Sequence, residues 1–372
     1  MKALVAKTQL TKALEFVSMA NYKTDNGEDN AIMISCDNYV LTLTGGNEEN
    51  HIEMVIEAEV EETGAIVVNS TNLDKQIKGF PGKEIVITGN SDFMYFETSE
   101  DVDDSMKCNM KVDSAESTKF ADYTASKSTP CLTVNANTLA DALAAAAIAV
   151  DKKSPKEELK NVGLILNKDT VEFVGFSSKR LSKQSIKTNG TNEVEGEKRF
   201  TIPLTVAKNV AKMFKKGKKD VSLCLEKNEQ GNYLVFKNEV ATIFCKLLHP
   251  TYPSFSRLLE NKAEYSINFS ATNLTRIIKG LSGMSKADVV VTLTPTDKGM
   301  EFSIINDGSK MALSIGCTIN GEKTTIKMLG KDLKEAFGCV NTDTCTLNVI
   351  RNTVYTLVED NGDYIFMGSL CK

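Results

Sequence analysis

Residues 267–281 read INFSATNLTRIIKGL, and this stretch decides the fold. It opens with Ile267 and Phe269, apolar at alternate positions as in a strand with one buried face. Leu274, Ile277, Ile278 and Leu281 then recur at the spacing of an amphipathic helix. Thr272, just ahead, is placed to accept from the unpaired N–H groups of the first helical turn. Beyond the helix, VVVTLT (289–294) and MEFSII (300–305) are β-branched runs of period two joined by a glycine-containing turn. The unit reads β-α-β-β-β, its helix covering one face of a mostly antiparallel sheet.

Outward from this stretch the unit recurs in ALVAKTQLTKALEFV (3–17), AIVVNSTNLDKQIKGF (65–80), LTVNANTLADALAAA (132–146), FTIPLTVAKNVAKMF (200–214) and IKMLGKDLKEAF (326–337). The first apolar helix positions are Leu10, Leu73, Leu139, Val206, Leu274 and Leu333, at steps of 63, 66, 67, 68 and 59 residues. Thr71 and Asn137 read as caps like Thr272. Six copies pair into three domains, expected at 1–126, 127–259 and 260–372, with polar linkers near 124–130 and 259–264. The fold class is α+β, three similar domains of two units each.

The chain has 372 residues, 41% hydrophobic and 25% charged, which excludes a disordered or collagen-like chain. No run approaches the roughly 18 apolar residues of a membrane span. Lys2, Lys7 and Lys12 interrupt any signal-peptide core at the start, so a cytoplasmic location is expected. Nine cysteines with no C-x-x-C pair point to idle thiols, with no metal expected. His51 and His249, the only histidines, read as surface or loop residues. No phosphate loop, G-x-G-x-x-G, G-x-S-x-G or H-E-x-x-H occurs, so neither catalysis nor a cofactor is indicated.

The net charge of −5 argues against a nucleic-acid partner until it is resolved along the chain. The six helical segments, read as 8–20, 71–80, 137–150, 204–219, 271–282 and 331–338, carry +8 and the remainder −13. Two positions past each apolar anchor, on the outward face, stand Lys12, Lys75, Asp141, Lys208, Arg276 and Glu335. The fourth segment adds Lys212, Lys215, Lys216, Lys218 and Lys219. Lysine dominates and no aromatics interleave, which suits a surface that tracks phosphates without reading bases.

The sixfold repeat, together with VEFVGFSSKRLSKQ (171–184), HPTYPSFSRLLE (249–260), KRFTIPLTVAKNVAKMF (198–214) and the ending YIFMGSLCK (364–372), resembles the bacterial DNA polymerase III beta subunit, or sliding clamp, family. The resemblance implies a non-enzymatic head-to-tail homodimer that encircles duplex DNA, sheets outside and helices lining the hole. It implies a clamp loader and a replicative DNA polymerase as partners. By resemblance, DNA would meet Lys12, Lys23, Lys75, Lys78, Lys153, Lys208, Lys212, Lys215, Arg276 and Lys279, and Met284 would lie near the subunit interface. A partner-peptide groove would comprise Leu159, Phe176, Ser178, Arg180, Leu181, Pro253, Arg257, Leu258, Ile365 and Met367, the arginines orienting the peptide. Phe176, Ser177, Ser178 and Lys179 replace the family's Thr-Asp-Gly-His turn, and Gly368-Ser369-Leu370-Cys371 replaces its Pro-Met-Arg-Leu tail. The alternative readings are a clamp-like scaffold that no longer encircles DNA, and a hydrolase or transferase using scattered carboxylates.

Overall fold

The structure, a computed structural model, describes residues 1–20, 22–24, 27–29, 31–46, 50–69, 73–99, 105–112, 130–188, 196–215, 217–228, 231–248, 252–282, 289–306, 309–351 and 353–371. Six β-α-β-β-β units follow one another. The first is β1 (Lys2–Ala6), α1 (Lys7–Val17), a small hairpin β2 (Tyr22–Thr24) and β3 (Gly27–Asp29), then β4 (Ala31–Asp37), β5 (Val40–Gly46) and β6 (Asn50–Glu62). The second is β7 (Gly64–Asn69), α2 (Leu73–Lys78), β8 (Glu84–Gly89), β9 (Phe93–Thr98) and β10 (Lys107–Lys111). The third is β11 (Pro130–Asn135), α3 (Ala136–Ala147), β12 (Val162–Leu166), β13 (Thr170–Phe176) and β14 (Arg180–Lys187). The fourth is β15 (Lys198–Ile202), α4 (Leu204–Phe214), β16 (Asp220–Asn228), β17 (Gly231–Lys237) and β18 (Ala241–Lys246). A single turn, α5 (Ser256–Leu259), precedes the fifth: β19 (Tyr265–Ser270), α6 (Ala271–Ser282), β20 (Val290–Thr296), β21 (Gly299–Asn306) and β22 (Ser309–Ile315). After β23 (Thr318–Gly321) the sixth is β24 (Ile326–Leu329), α7 (Gly330–Gly338), β25 (Thr344–Ile350), β26 (Val354–Glu359) and β27 (Tyr364–Ser369).

Strand pairing couples the repeats in twos. Each leading strand joins the first sheet strand of its sister repeat: β1 pairs β8 and β7 pairs β4; β11 pairs β16 and β15 pairs β12; β19 pairs β25 and β24 pairs β20. Last strands then pair between non-sister repeats. β6 of the first repeat pairs β18 of the fourth, and β14 of the third pairs β27 of the sixth. All these pairings are antiparallel, which gives the α+β fold its sheets.

Two compact units result: 1–136 with 216–247, and 137–215 with 248–372. In the first, α1 buries Leu10, Leu14 and Val17 against β5 and β6, and packs beside α2, which buries Leu73 and Ile77. In the second, α6 and α7 pack together over a core that includes Phe269, Phe302, Phe337, Leu347, Tyr355 and Phe366. Both helices turn inward the apolar stripe read from the sequence.

Four sequence expectations are corrected. Asn137 and Thr272 are not caps, because α3 and α6 begin at Ala136 and Ala271, straight out of the preceding strand. Ser270 caps α6 instead, its Oγ accepting from Asn273 N–H at 3.4 Å. The fourth helix ends at Phe214, so Lys215, Lys218 and Lys219 lie beyond it, and the helices α1–α4, α6 and α7 carry ten basic and five acidic residues, +5 rather than +8. His51 is a buried member of β6 stacked on Phe244, ring centroids 4.2 Å apart, because β6 begins at Asn50. Thr71, Met284, Lys216 and His249 lie outside the described residues.

Gly368 on β27 lies directly across from Tyr355 on β26, and a Cβ there would stand 2.5 Å from the tyrosine hydroxyl and 2.6 Å from its ring. Gly368→Ala is therefore expected to destabilise by about 1–3 kcal/mol. Urea unfolding checks this: the midpoint should fall at unchanged slope, and Tyr355→Leu in the same chain should recover part of the loss.

Candidate functional site

The seam between β14 and β27 has two faces, set by strand alternation. The register pairs Arg180 with Gly368, Leu181 with Met367, Ser182 with Phe366, Lys183 with Ile365 and Gln184 with Tyr364. On one face Ser182 Oγ donates to Ala145 O of α3 at 2.6 Å, and Tyr364 OH to Ala336 O of α7 at 3.2 Å. That face therefore meets the helices. Leu181, Lys183, Ile365 and Met367 occupy the other face, where β13 adds Val174 and Phe176.

On this second face an apolar cluster assembles from Ile165, Val174, Leu181, Tyr252 and Phe255, with Phe176, Leu259 and Met367 packed against it and partly exposed. Tyr252 is its hinge pin. Its ring lies flat on Gly163, so close that a Cβ there would stand 2.6 Å from it, and its hydroxyl donates to Val174 O at 3.2 Å. Burial pushes that hydroxyl well above the ordinary tyrosine range, with Glu158 adding to the shift. The hydroxyl is therefore a fixed structural donor. At the rim, Lys183 donates to Glu172 at 2.9 Å, while Arg257 and Leu258 are exposed, Leu258 by 38%.

Of the residues assigned to the groove by resemblance, the structure gathers Phe176, Leu181 and Met367 in this cluster, with Ile365 on the same face. Leu159 and Pro253 are half-buried outside the cluster, and Ser178 is exposed in the turn before β14. Arg180 goes to the opposite face. Its guanidinium donates to Asp332 at 3.1 Å and Glu335 at 2.8 Å, both on α7. Tyr252, Phe255, Ile165, Val174 and Leu259 were missed as lining residues; the signal was the apolar spacing within TYPSFSRLL (251–259) and the glycine of VGLIL (162–166).

Among the basic residues, Lys12, Lys75, Lys78, Lys153, Lys208, Lys212, Lys215, Arg276 and Lys279 are all exposed. Lys12 sits over the Phe16 ring at 5.7 Å, and Lys78 pairs with Asp74 at 3.5 Å. Lys23 is on β2, but its side chain lies outside what is described. Among the described residues no cluster of three His, Cys, Asp or Glu could hold a metal, eight of the nine cysteines are free thiols, and no helix is long and apolar enough to cross a membrane.

Residues 133–254 match the model of the DNA polymerase III beta subunit, central domain. A beta sliding clamp from Helicobacter pylori is 24% identical over 248 residues, 64% of this chain and 61% of that protein. This chain thus aligns with less than two thirds of that relative's length. Solved structures are alike over all of this chain. The Bacillus subtilis DNA polymerase sliding clamp gives a TM-score of 0.81 at 16% identity, over 99% of its length. The Helicobacter pylori beta clamp bound to a DNA ligase peptide gives 0.80 at 19% identity, over 100% of its length.

The Arg180 cluster makes a pH-dependent prediction. Burial pushes the Asp332 carboxyl above the usual range, Glu335 adds to this, and Arg180 opposes it. The Arg180–Asp332 pairing helps the fold only while that carboxylate is charged, so this contribution is present at neutral pH and is lost as pH falls through the raised Asp332 pKa. Arg180→Gln should cost about 2–3 kcal/mol at neutral pH, somewhat less than a fully buried pair. The difference from the parent chain should shrink on acidification, as measured by urea unfolding across pH.

Proposed function

We propose, from a chain whose central domain belongs to the DNA polymerase III beta subunit family and whose whole length has the sliding-clamp fold, that this protein is a DNA sliding clamp. It holds duplex DNA within a closed ring of two copies and tethers a replicative polymerase to it. The family is non-catalytic, and this chain acts as an accessory subunit.

One observation carries the reading. Last strands pair by a rule: the first repeat with the fourth, the third with the sixth. The fifth repeat's β22 has no such partner among the described residues, nor has the second repeat's β10. Carried on to a second copy, the same rule pairs β22 of one copy with β10 of the next. This is a head-to-tail contact, which closes into a ring where the rotation between copies allows, and a ring of two is what the likeness to the clamp family implies. Half-buried Cys108 and Met110 on β10, and Met311 and Leu313 on β22, supply apolar side chains for that edge. The sister-strand exchange supports three domains, 1–126, 127–259 and 260–372.

The exposed lysines and arginine of the repeat helices would meet the duplex backbone without reading bases. Encirclement needs no tight contact, so weak, salt-sensitive attraction suffices and sliding is unhindered. A clamp loader is required to open the ring, and the chain works in the cytoplasm. The apolar face around Phe176, Leu181 and Met367 would take a short apolar peptide from polymerase, loader or repair enzyme, as the Helicobacter pylori clamp holds a DNA ligase peptide. Methionine and half-exposed aromatics make such a face adaptable to several partners. Tethering raises the local polymerase concentration at the primer end.

Retention on loaded DNA tests encirclement. The protein should stay on nicked circles and leave quickly once they are linearised; equal retention on both forms refutes the ring. Lys208→Glu with Lys212→Glu and Lys215→Glu should abolish DNA-dependent polymerase stimulation, whereas a clamp-like scaffold would be indifferent. Phe176→Ala with Met367→Ala should lower polymerase stimulation by about tenfold or more while leaving retention on circles intact.

A further inference from the structure

The sheet β22-β21-β20-β24 lies within one compact unit, and strand alternation gives it two faces. Val291, Leu293, Phe302 and Ile304 belong to the core, which they share with Leu274 and Ile277 of α6 and Leu333 of α7. The opposite face carries an apolar row. Leu329 on β24 pairs Val290 on β20, the Val291–Ile304 pair sets Val290 beside Ile305 on β21, and Ile305 pairs Lys310 on β22. Ile305 is 74% exposed, Val290 38%, and Leu329 is half-buried. The next row sets Thr292, Ser303 and Ala312, all small, beside Lys327.

Three observations separate this row from singly scattered surface apolar residues. First, Ile305 stands near the end of the hairpin between the second and third sheet strands of the fifth repeat, where the third repeat has Phe176. Phe176 packs against a cluster that includes Tyr252 and Phe255, whereas Ile305 is left open to solvent. Second, the outer edge of β24 is already closed, because Cys371 N–H donates to Lys327 O at 2.8 Å. An occupant cannot add there as a further strand and must lie on the face. Third, the face is basic where it is apolar. Lys310 ends the row and Lys327 flanks Leu329, both exposed, while the acid of this face, Glu301, lies two rows from Ile305.

We propose that this face docks an amphipathic helix of a partner protein, apolar along one stripe and bearing carboxylates on its flanks. Neighbouring strands stand about 4.8 Å apart and an α-helix rises about 5.4 Å per turn, so a helix laid across the strands meets one side chain of the row per turn. Its apolar residues at i, i+3 or i+4, and i+7 cover Leu329, Val290 and Ile305 in succession. Its flanking carboxylates meet Lys310 and Lys327, which set orientation and make the encounter salt-sensitive. None of these residues belongs to the duplex-facing set or to the apolar face around Tyr252. The inference goes beyond the clamp reading and does not rest on it, since the face belongs to one unit of a single chain.

Fluorescence anisotropy of a labelled synthetic peptide against the full chain tests the proposal. The peptide is a helix former of about four turns, with leucine along one stripe and glutamate on both flanks. Saturable binding is expected, weakened about tenfold or more by Ile305→Glu and about threefold by Lys310→Glu. Ile305→Glu replaces an exposed side chain, so its urea midpoint should match that of the parent. The chain with Phe176→Ala and Met367→Ala should bind the peptide like the parent, which separates this face from the apolar cluster. A peptide with lysine in place of glutamate should bind several-fold more weakly. Absence of saturable binding, or undiminished binding by Ile305→Glu, overturns the site. Loss of binding in the Phe176→Ala, Met367→Ala chain, or equal affinity for the lysine peptide, also overturns it. If the parent self-associates without binding the peptide, and Ile305→Glu abolishes that association, the occupant is a second copy and the proposal fails. Retention on nicked circles does not enter these outcomes, so the two readings fail separately.

Discussion

The pairing of β14 with β27 is the contact on which the rest of the second unit depends. It joins the third repeat to the sixth across more than 170 residues of chain, through five register pairs from Arg180–Gly368 to Gln184–Tyr364. Each strand alternates sides, so one line of backbone hydrogen bonds fixes two surfaces at once. Leu181 and Met367 face the apolar cluster, while Arg180, Ser182 and Tyr364 reach the helices. A shift of one residue would exchange the faces and bury Lys183 where Ser182 now sits. The tightness of Gly368 beneath Tyr355 and of Gly163 beneath Tyr252 opposes such a slip.

Electrostatics follow from the same arrangement. The helices present their lysines and arginine outward because their apolar stripes are consumed by the sheets. The acids on the corresponding positions, Asp141 and Glu335, are half-buried and engaged by Asn137 and Arg180. The exposed helix surface is thus more basic than its formal count of +5. An acidic chain can in this way offer a basic helix surface, and whole-chain charge is a poor guide to its partner.

The repeat was legible because period-3.6 and period-2 patterns alternate cleanly six times, and all six helices formed where the apolar stripes lay. Their starts were less legible. Polar residues near a helix start resemble caps, yet α1, α3, α6 and α7 follow their strands without a break, and only the geometry shows Ser270 to be the α6 cap. The lysine run after α4 read as helix because lysine favours helices, but the chain turns away at Lys215. At the site, adjacency misled: Arg180 and Leu181 are neighbours in sequence and opposites in space. Arg180's partners lie more than 150 residues further along, so no local pattern could reveal them.

The central claim is that the strand-pairing rule continues from one copy to the next and closes a ring of two. Sedimentation equilibrium of the purified chain across a range of concentrations and salt tests it most directly. The account predicts a single species of twice the 40.7 kDa chain mass. A species that keeps the mass of one chain at every concentration, or an open series of larger assemblies, would contradict it.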